Sequence, residues 1–204
     1  MGKLFREGKK YTFSDYFEFN NPTKEIIEEF GYQYRFSQLK LPRCLKEFEP
    51  LTRLRETYIK KLPLISLNSE AAKREFYISP LLLEMLEYIQ AEIDVEYPLD
   101  AGENLSGTID YLIKFTNSFV IIEAKKGDME KGFNQLAVEL IALDKTLKTE
   151  QATLYGAVTL GDVWRFGALT RAEKLLQKDM NAYTILSDLE EILSILIGIL
   201  ENES

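Results

Sequence analysis

Val120-Ile121-Ile122-Glu123-Ala124-Lys125 is the stretch on which the fold turns. Three β-branched apolar residues in a row read as a strand buried on both faces. At its end two charges appear, spaced two residues apart, so Glu123 and Lys125 lie on one side of the strand, one pleat from each other. A buried carboxylate and ammonium are expensive unless they are paired or used.

Working outward, Thr116-Asn117-Ser118 is a tight-turn signal. It joins the strand at residues 119–124 to a preceding one at 108–115, so the two are expected to form an antiparallel hairpin. In Thr108-Ile109-Asp110-Tyr111-Leu112-Ile113, Asp110 breaks an apolar run as Glu123 does. The hairpin can bring the two carboxylates alongside one another. Two such groups at a buried sheet end repel unless a cation joins them.

An earlier strand is expected at residues 93–97, behind the loop Asp100-Ala101-Gly102-Glu103-Asn104. Before it, Asn68 or Ser69 can cap a helix running through Phe76, Leu81, Leu82, Met85 and Ile89, with a kink or break at Pro80. After the central strand, Met129, Phe133, Leu136, Ala137, Leu140, Ile141 and Leu147 mark one face of a long amphipathic helix. Strands at 153–159 and 163–169 follow, then one near 183–186 and a helix over 188–200. The order α-β-β-β-α-β reads as an α/β sandwich around a mixed central sheet. Residues 1–62 differ in texture and read as an N-terminal elaboration packed on a core of residues 63–204. Within it, a short helix is expected at 23–30, an extended run at 32–41 and a helix over 49–61.

Composition narrows the chemistry. The 204 residues, 46% hydrophobic and 28% charged, suit one soluble domain with a sizeable core. The chain has no histidine, which excludes Ser-His-Asp and Cys-His catalysis and every zinc site built on histidine. Its single cysteine, Cys44, excludes an intramolecular disulfide and cysteine-rich metal clusters. Neither a Walker A loop nor G-x-G-x-x-G occurs. Any chemistry must come from oxygen donors and amines, and such donors suit hard cations such as magnesium. With no signal-peptide pattern over the first six residues, the cytoplasm is the expected compartment, and no stretch is long and apolar enough to span a bilayer.

Gly107-Thr108-Ile109-Asp110, followed thirteen residues later by Glu123-Ala124-Lys125, resembles the D-(x)n-(D/E)-x-K signature of the PD-(D/E)XK nuclease superfamily. Ile109 stands where the nominal motif has proline. Gln135 matches a glutamine that many members carry on the next helix, and Glu70 matches an acidic position on their leading helix, with Glu75 as its rival. The likeness extends over about residues 69–169 and is strongest to small stand-alone members. It implies a restriction endonuclease-like fold and Mg²⁺-dependent hydrolysis of phosphodiester bonds, with Mn²⁺ as a substitute ion. DNA is the expected substrate before RNA, the expected action is endonucleolytic, and a homodimer is compatible with it. The resemblance assigns the metal to Asp110, Glu123 and the Ala124 carbonyl. It assigns a water or the transition state to Lys125, and supporting roles to Gln135 and Glu70. The alternative is a nuclease-like module that binds nucleic acid or a partner protein without cutting.

Each residue also has a plain structural reading. Glu123 and Lys125 can be a strand-end pair, Asp110 a residue near a turn, Gln135 a solvated helix residue, and Glu70 an acid favoured by a helix dipole. The net charge of −8 weighs against a phosphate-binding partner. Basic residues are nonetheless concentrated over 40–61, seven against three acidic ones. Arg53, Arg55, Lys60 and Lys61, with Lys126 near the strand end, are the candidate nucleic-acid contacts, and a solvated helix face accounts for the same cluster.

Overall fold

The computed structural model describes residues 4–5, 8–46, 48, 51–116, 118–125, 127–148 and 151–201. The apolar run that ends in Glu123 is a central strand. In chain order the strands are β1 (Gln33–Ser37), β2 (Glu92–Asp100), β3 (Ser106–Phe115), β4 (Ser118–Ala124), β5 (Thr153–Thr159), β6 (Val163–Thr170), β7 (Leu175–Asp179) and β8 (Tyr183–Thr184). They form one mixed sheet in the order β1-β7-β6-β5-β4-β3-β2, with β8 paired to β6. β3 and β4 are antiparallel, as a hairpin requires, while β4 and β5 are parallel. An 18-residue helix, Met129–Thr146, makes the crossover between the parallel pair.

The helices are α1 (Phe13–Phe17), α2 (Thr23–Glu28), α3 (Thr52–Lys61), α4 (Glu70–Lys73), α5 (Ser79–Met85), α6 (Met129–Thr146) and α7 (Leu189–Glu201). They cover both faces of the sheet. On one face α6 packs Phe133, Leu136, Leu140 and Ile141 against Ile121, Leu112 and Val158. On the other, α3, α5 and α7 pack on Val120, Ile122, Trp164 and Phe166. α7 is apolar over most of its surface, and most of it is buried, with Glu190, Glu191 and Glu201 among its partly exposed positions. Gly198 is required there, since a Cβ would stand 2.6 Å from the backbone of Arg43, which crosses the helix.

Several expectations shift. β2 runs past Pro98, which a central strand would reject; β2 is an edge strand, so the missing N–H leaves no ladder bond unmade. The helix begun by Ser69, whose Oγ accepts from the Ala72 amide, does not break at Pro80. Pro80 sits in the first turn of α5, where its N–H would be unpaired anyway. The irregularity comes earlier, as a wide π turn over Arg74–Ile78. α1 and β7 were not foreseen, and β8 is shorter than expected. The first 62 residues add edge strand β1 to the sheet beside β7 and place helices on both of its faces. Glu49 and Asn117 lie outside the described residues. Among the described residues no helix is long and apolar enough to cross a membrane.

Candidate metal and phosphate site

The β3–β4 register pairs Tyr111 with Ile122, and the next step of that register sets Asp110 beside Glu123. Asp110 is tied to this end of β4 through the next residue, whose amide (Ala124) donates to Asp110 Oδ2 at 2.8 Å. Past the end of β4, the Lys125 amide donates to the Thr159 carbonyl at 2.8 Å, which keeps the backbone on β5 and turns the lysine side chain to the α6 face. Lys125 Nζ lies 2.5 Å from Glu123 Oε1 and 4.0 Å from Glu70 Oε2, with the Phe17 ring centroid 5.4 Å away.

From α6, Gln135 completes the contact. Its Nε2 donates to Glu123 Oε1 at 2.6 Å and to Glu139 Oε1 at 2.9 Å. Asp110, Glu123, Lys125 and Gln135 are therefore brought together, with Glu70 at the rim and Glu75 exposed elsewhere on its helical segment. Lys125 can lie beneath α6 because residue 132 is glycine. A Cβ there would stand 2.7 Å from Val158 Cγ2 and 3.0 Å from Lys125 Cγ.

Two residues at the site were missed in the sequence. Glu139 is fully buried and follows Gln135 by one helical turn, so an acid at the fourth position after a glutamine was the available signal. Arg74, on the π turn, places Nη1 3.3 Å from Asp110 Oδ1 and 3.3 Å from Glu96 Oε1. Nothing local announced that contact, because it depends on the packing of a helix against strands 22 and 36 residues away.

Burial dominates the electrostatics. Loss of solvent, followed by the charge of Asp110, outweighs Lys125 and raises the Glu123 carboxyl to about 8. Glu139 is pushed well up by burial and by Glu123. Two carboxyls this close and this dry do not both ionise near neutral pH, and they behave as one unit holding a shared proton. Burial works against the Lys125 charge, yet Glu123, Glu70 and Asp110 hold its ammonium above the ordinary lysine value. Among the described residues, Glu123 Oε2, Glu139 Oε2 and Gln135 Oε1 are buried with no donor side chain or amide bonded to them. A proton shared between Glu123 and Glu139 satisfies one of these oxygens, and a bound cation would satisfy another.

Other placements differ. α3 lies on the sheet face opposite α6. Arg55 is held by both Glu190 oxygens, at 2.8 and 2.6 Å, and Lys60 pairs with Glu56 at 3.0 Å, leaving Arg53 and Lys61 exposed. Lys126 lies outside the described residues. Trp164 is core, its indole N–H donating to the Gly161 carbonyl at 3.2 Å. Among the described residues no three acidic side chains are arranged to hold an ion together. No protein-family model matches the chain, and no curated protein matches it.

Proposed function

We propose that the chain is a Mg²⁺-dependent nuclease of the restriction endonuclease-like class, hydrolysing phosphodiester bonds in DNA before RNA. The observation that carries this reading is the meeting of Asp110, Glu123 and Lys125 at the end of a buried central strand. The donor set fits the ion. Carboxylates suit a hard cation, and Asp110, Glu123 and the Ala124 carbonyl would hold it. Bound there, Mg²⁺ supplies positive charge that makes a water a better nucleophile and offsets charge on the phosphorane.

The chain's own groups divide the remaining work. Lys125, in contact with Glu123 and facing Glu70, would orient the attacking water or steady a phosphate oxygen. Gln135 fixes the rotamer of Glu123 from α6. Glu70 draws Lys125 toward the rim of the site.

A second reading, a nuclease-like module that binds nucleic acid or a partner without cutting, draws on the cations already engaging both carboxylates. Cleavage assays decide between them, using single-stranded, duplex and branched substrates with Mg²⁺ or Mn²⁺. Activity is expected in the parent and is expected to fall by several orders of magnitude in Glu123→Ala and Lys125→Ala. Undiminished cutting by either variant overturns these roles. Nucleic-acid binding by an inert parent favours the second reading.

A further inference from the structure

Asp110 is mostly buried, with 13% of its side chain exposed, close to the Glu123–Glu139 pair. A carboxylate so placed needs an opposite charge. In the structure Arg74 provides one, with 18% of its own side chain exposed. We propose that Arg74 is the site's built-in counter-cation. It neutralises Asp110 until a divalent cation takes that oxygen, and then turns to the phosphate of the substrate. The proposal rests on the nuclease reading and adds a residue and a sequence of events to it.

The form of the contact argues for displacement. A tight arginine–carboxylate pair is short and frequently engages both carboxylate oxygens. This chain contains such a contact, from Arg55 to both oxygens of Glu190, at 2.8 and 2.6 Å. Arg55 and Arg74 each use one nitrogen, but that of Arg74 is 3.3 Å from a single oxygen of Asp110 and equally far from one of Glu96, longer than either Arg55 contact. The Asp110 oxygen it touches is Oδ1, while Oδ2 is held by the Ala124 amide. An incoming cation therefore competes with a loose contact and leaves the strand-to-strand bond intact.

Glu96 gives the guanidinium somewhere to go. Its neighbours Val95 and Tyr97 pair with Tyr111 and Ile109, which sets Glu96 directly across from Asp110 on edge strand β2. Its φ of 56° is a left-handed conformation that a side chain of this kind rarely adopts. The Glu96 carboxylate is 67% exposed, so it holds Arg74 at the solvent side of the site, where a substrate phosphate would arrive. Tyr111, whose ring centroid is 5.2 Å from the guanidinium and whose hydroxyl hydrogen-bonds it, anchors the arm beside Asp110 while leaving its outer edge toward Glu96 and solvent. A guanidinium released there presents a planar fork suited to phosphate.

The test uses Mn²⁺ alone, titrated into the parent, Arg74→Gln and Arg74→Lys, with Asp110→Asn as the reference lacking the ligand. Circular dichroism checks folding. Removing the competing charge is expected to tighten Mn²⁺ binding roughly tenfold in Arg74→Gln, the scale of one charge-assisted hydrogen bond. With Ca²⁺ in excess, a fluorescent DNA oligonucleotide is expected to bind both Arg74 variants more weakly than the parent, since lysine keeps the charge and loses the fork. Mn²⁺ binding in Arg74→Gln that is equal to or weaker than the parent's overturns the inference alone. If Arg74→Gln does not fold, Arg74→Lys binding the oligonucleotide as well as the parent overturns it. If neither parent nor Arg74→Gln binds Mn²⁺, the nuclease reading falls and takes this inference with it.

Discussion

Glu123 on β4 and Glu139 on α6 share a single donor, the side-chain amide of Gln135, at 2.6 and 2.9 Å. Both acids are buried, and among the described residues no other donor reaches the second oxygen of either. The fold thus holds a proton that an unfolded chain would release. Glu123 has an ordinary value of 4.5 and is raised to about 8 in the folded protein, chiefly by burial. Between those values the folded state binds more protons than the unfolded one, so stability falls as pH rises. Urea unfolding at pH 5, 7 and 9 should show that decline. Glu139→Gln removes one of the two acids and should flatten it, stabilising the protein at pH 9 relative to the parent by roughly 1–3 kcal/mol, the scale of one unsatisfied buried polar group. A parent indifferent to pH over this range, or an unchanged slope in Glu139→Gln, contradicts the shared proton.

Gly132 sets the distance between α6 and the lysine. Alanine is the better helix former by about 1 kcal/mol, so an open position would gain stability from Gly132→Ala. Here the new methyl group would stand 2.7 Å from Val158 Cγ2 and 3.0 Å from Lys125 Cγ. The expected result is a net loss of about 1–3 kcal/mol, as for overpacking elsewhere, together with reduced cleavage as Lys125 is displaced. Denaturant unfolding reads the first quantity. A stabilised variant would mean that α6 shifts freely and does not position the lysine.

How much of this was legible in the sequence follows from what each signal encodes. The run at Thr153–Thr159 shows its strand outright, because β-branched and apolar residues fill it. β7 hides because Gln177, Lys178 and Asp179 make its second half look solvated, although Lys178 and Asp179 are buried. α1 hides because five residues carry no helical period, and its only marker was the reciprocal capping of Thr12 and Asp15. At the site, Asp110, Glu123 and Lys125 stood out as charged residues interrupting or ending apolar runs, whereas Gln135 was singled out only by the resemblance to the PD-(D/E)XK signature. Glu139 passed as an ordinary polar residue on an amphipathic helix, because a one-dimensional pattern does not show that α6 is covered on nearly every side. Arg74 required the packing of two distant segments, which no local period carries.

The basic stretch over 40–61 is expected to contribute less to nucleic-acid affinity than its charge suggests. α3 packs on the face opposite α6, and Arg55 and Lys60 already have carboxylate partners. Neutralising Arg53, Lys60 and Lys61 together should leave the salt dependence of DNA binding unchanged, since phosphate contacts that do not form release no counterions. A flattened salt slope in that variant would bring α3 into the interface.

The central claim is that Asp110 and Glu123 form a divalent-cation centre, and it can be tested without knowing the substrate. Thermal melts of the parent, Asp110→Asn and Glu123→Gln, each in EDTA and in millimolar Mn²⁺, measure it most directly. An ion that binds only the folded state adds about 2.7 kcal/mol of stability at roughly 100 times its dissociation constant. The account predicts a clear Mn²⁺-dependent rise in melting temperature for the parent and none for either variant. A parent whose melting temperature is the same in EDTA and Mn²⁺, with Asp110→Asn simply destabilised by loss of its contacts to Arg74 and the Ala124 amide, would contradict the account and leave these residues as a structural charge cluster.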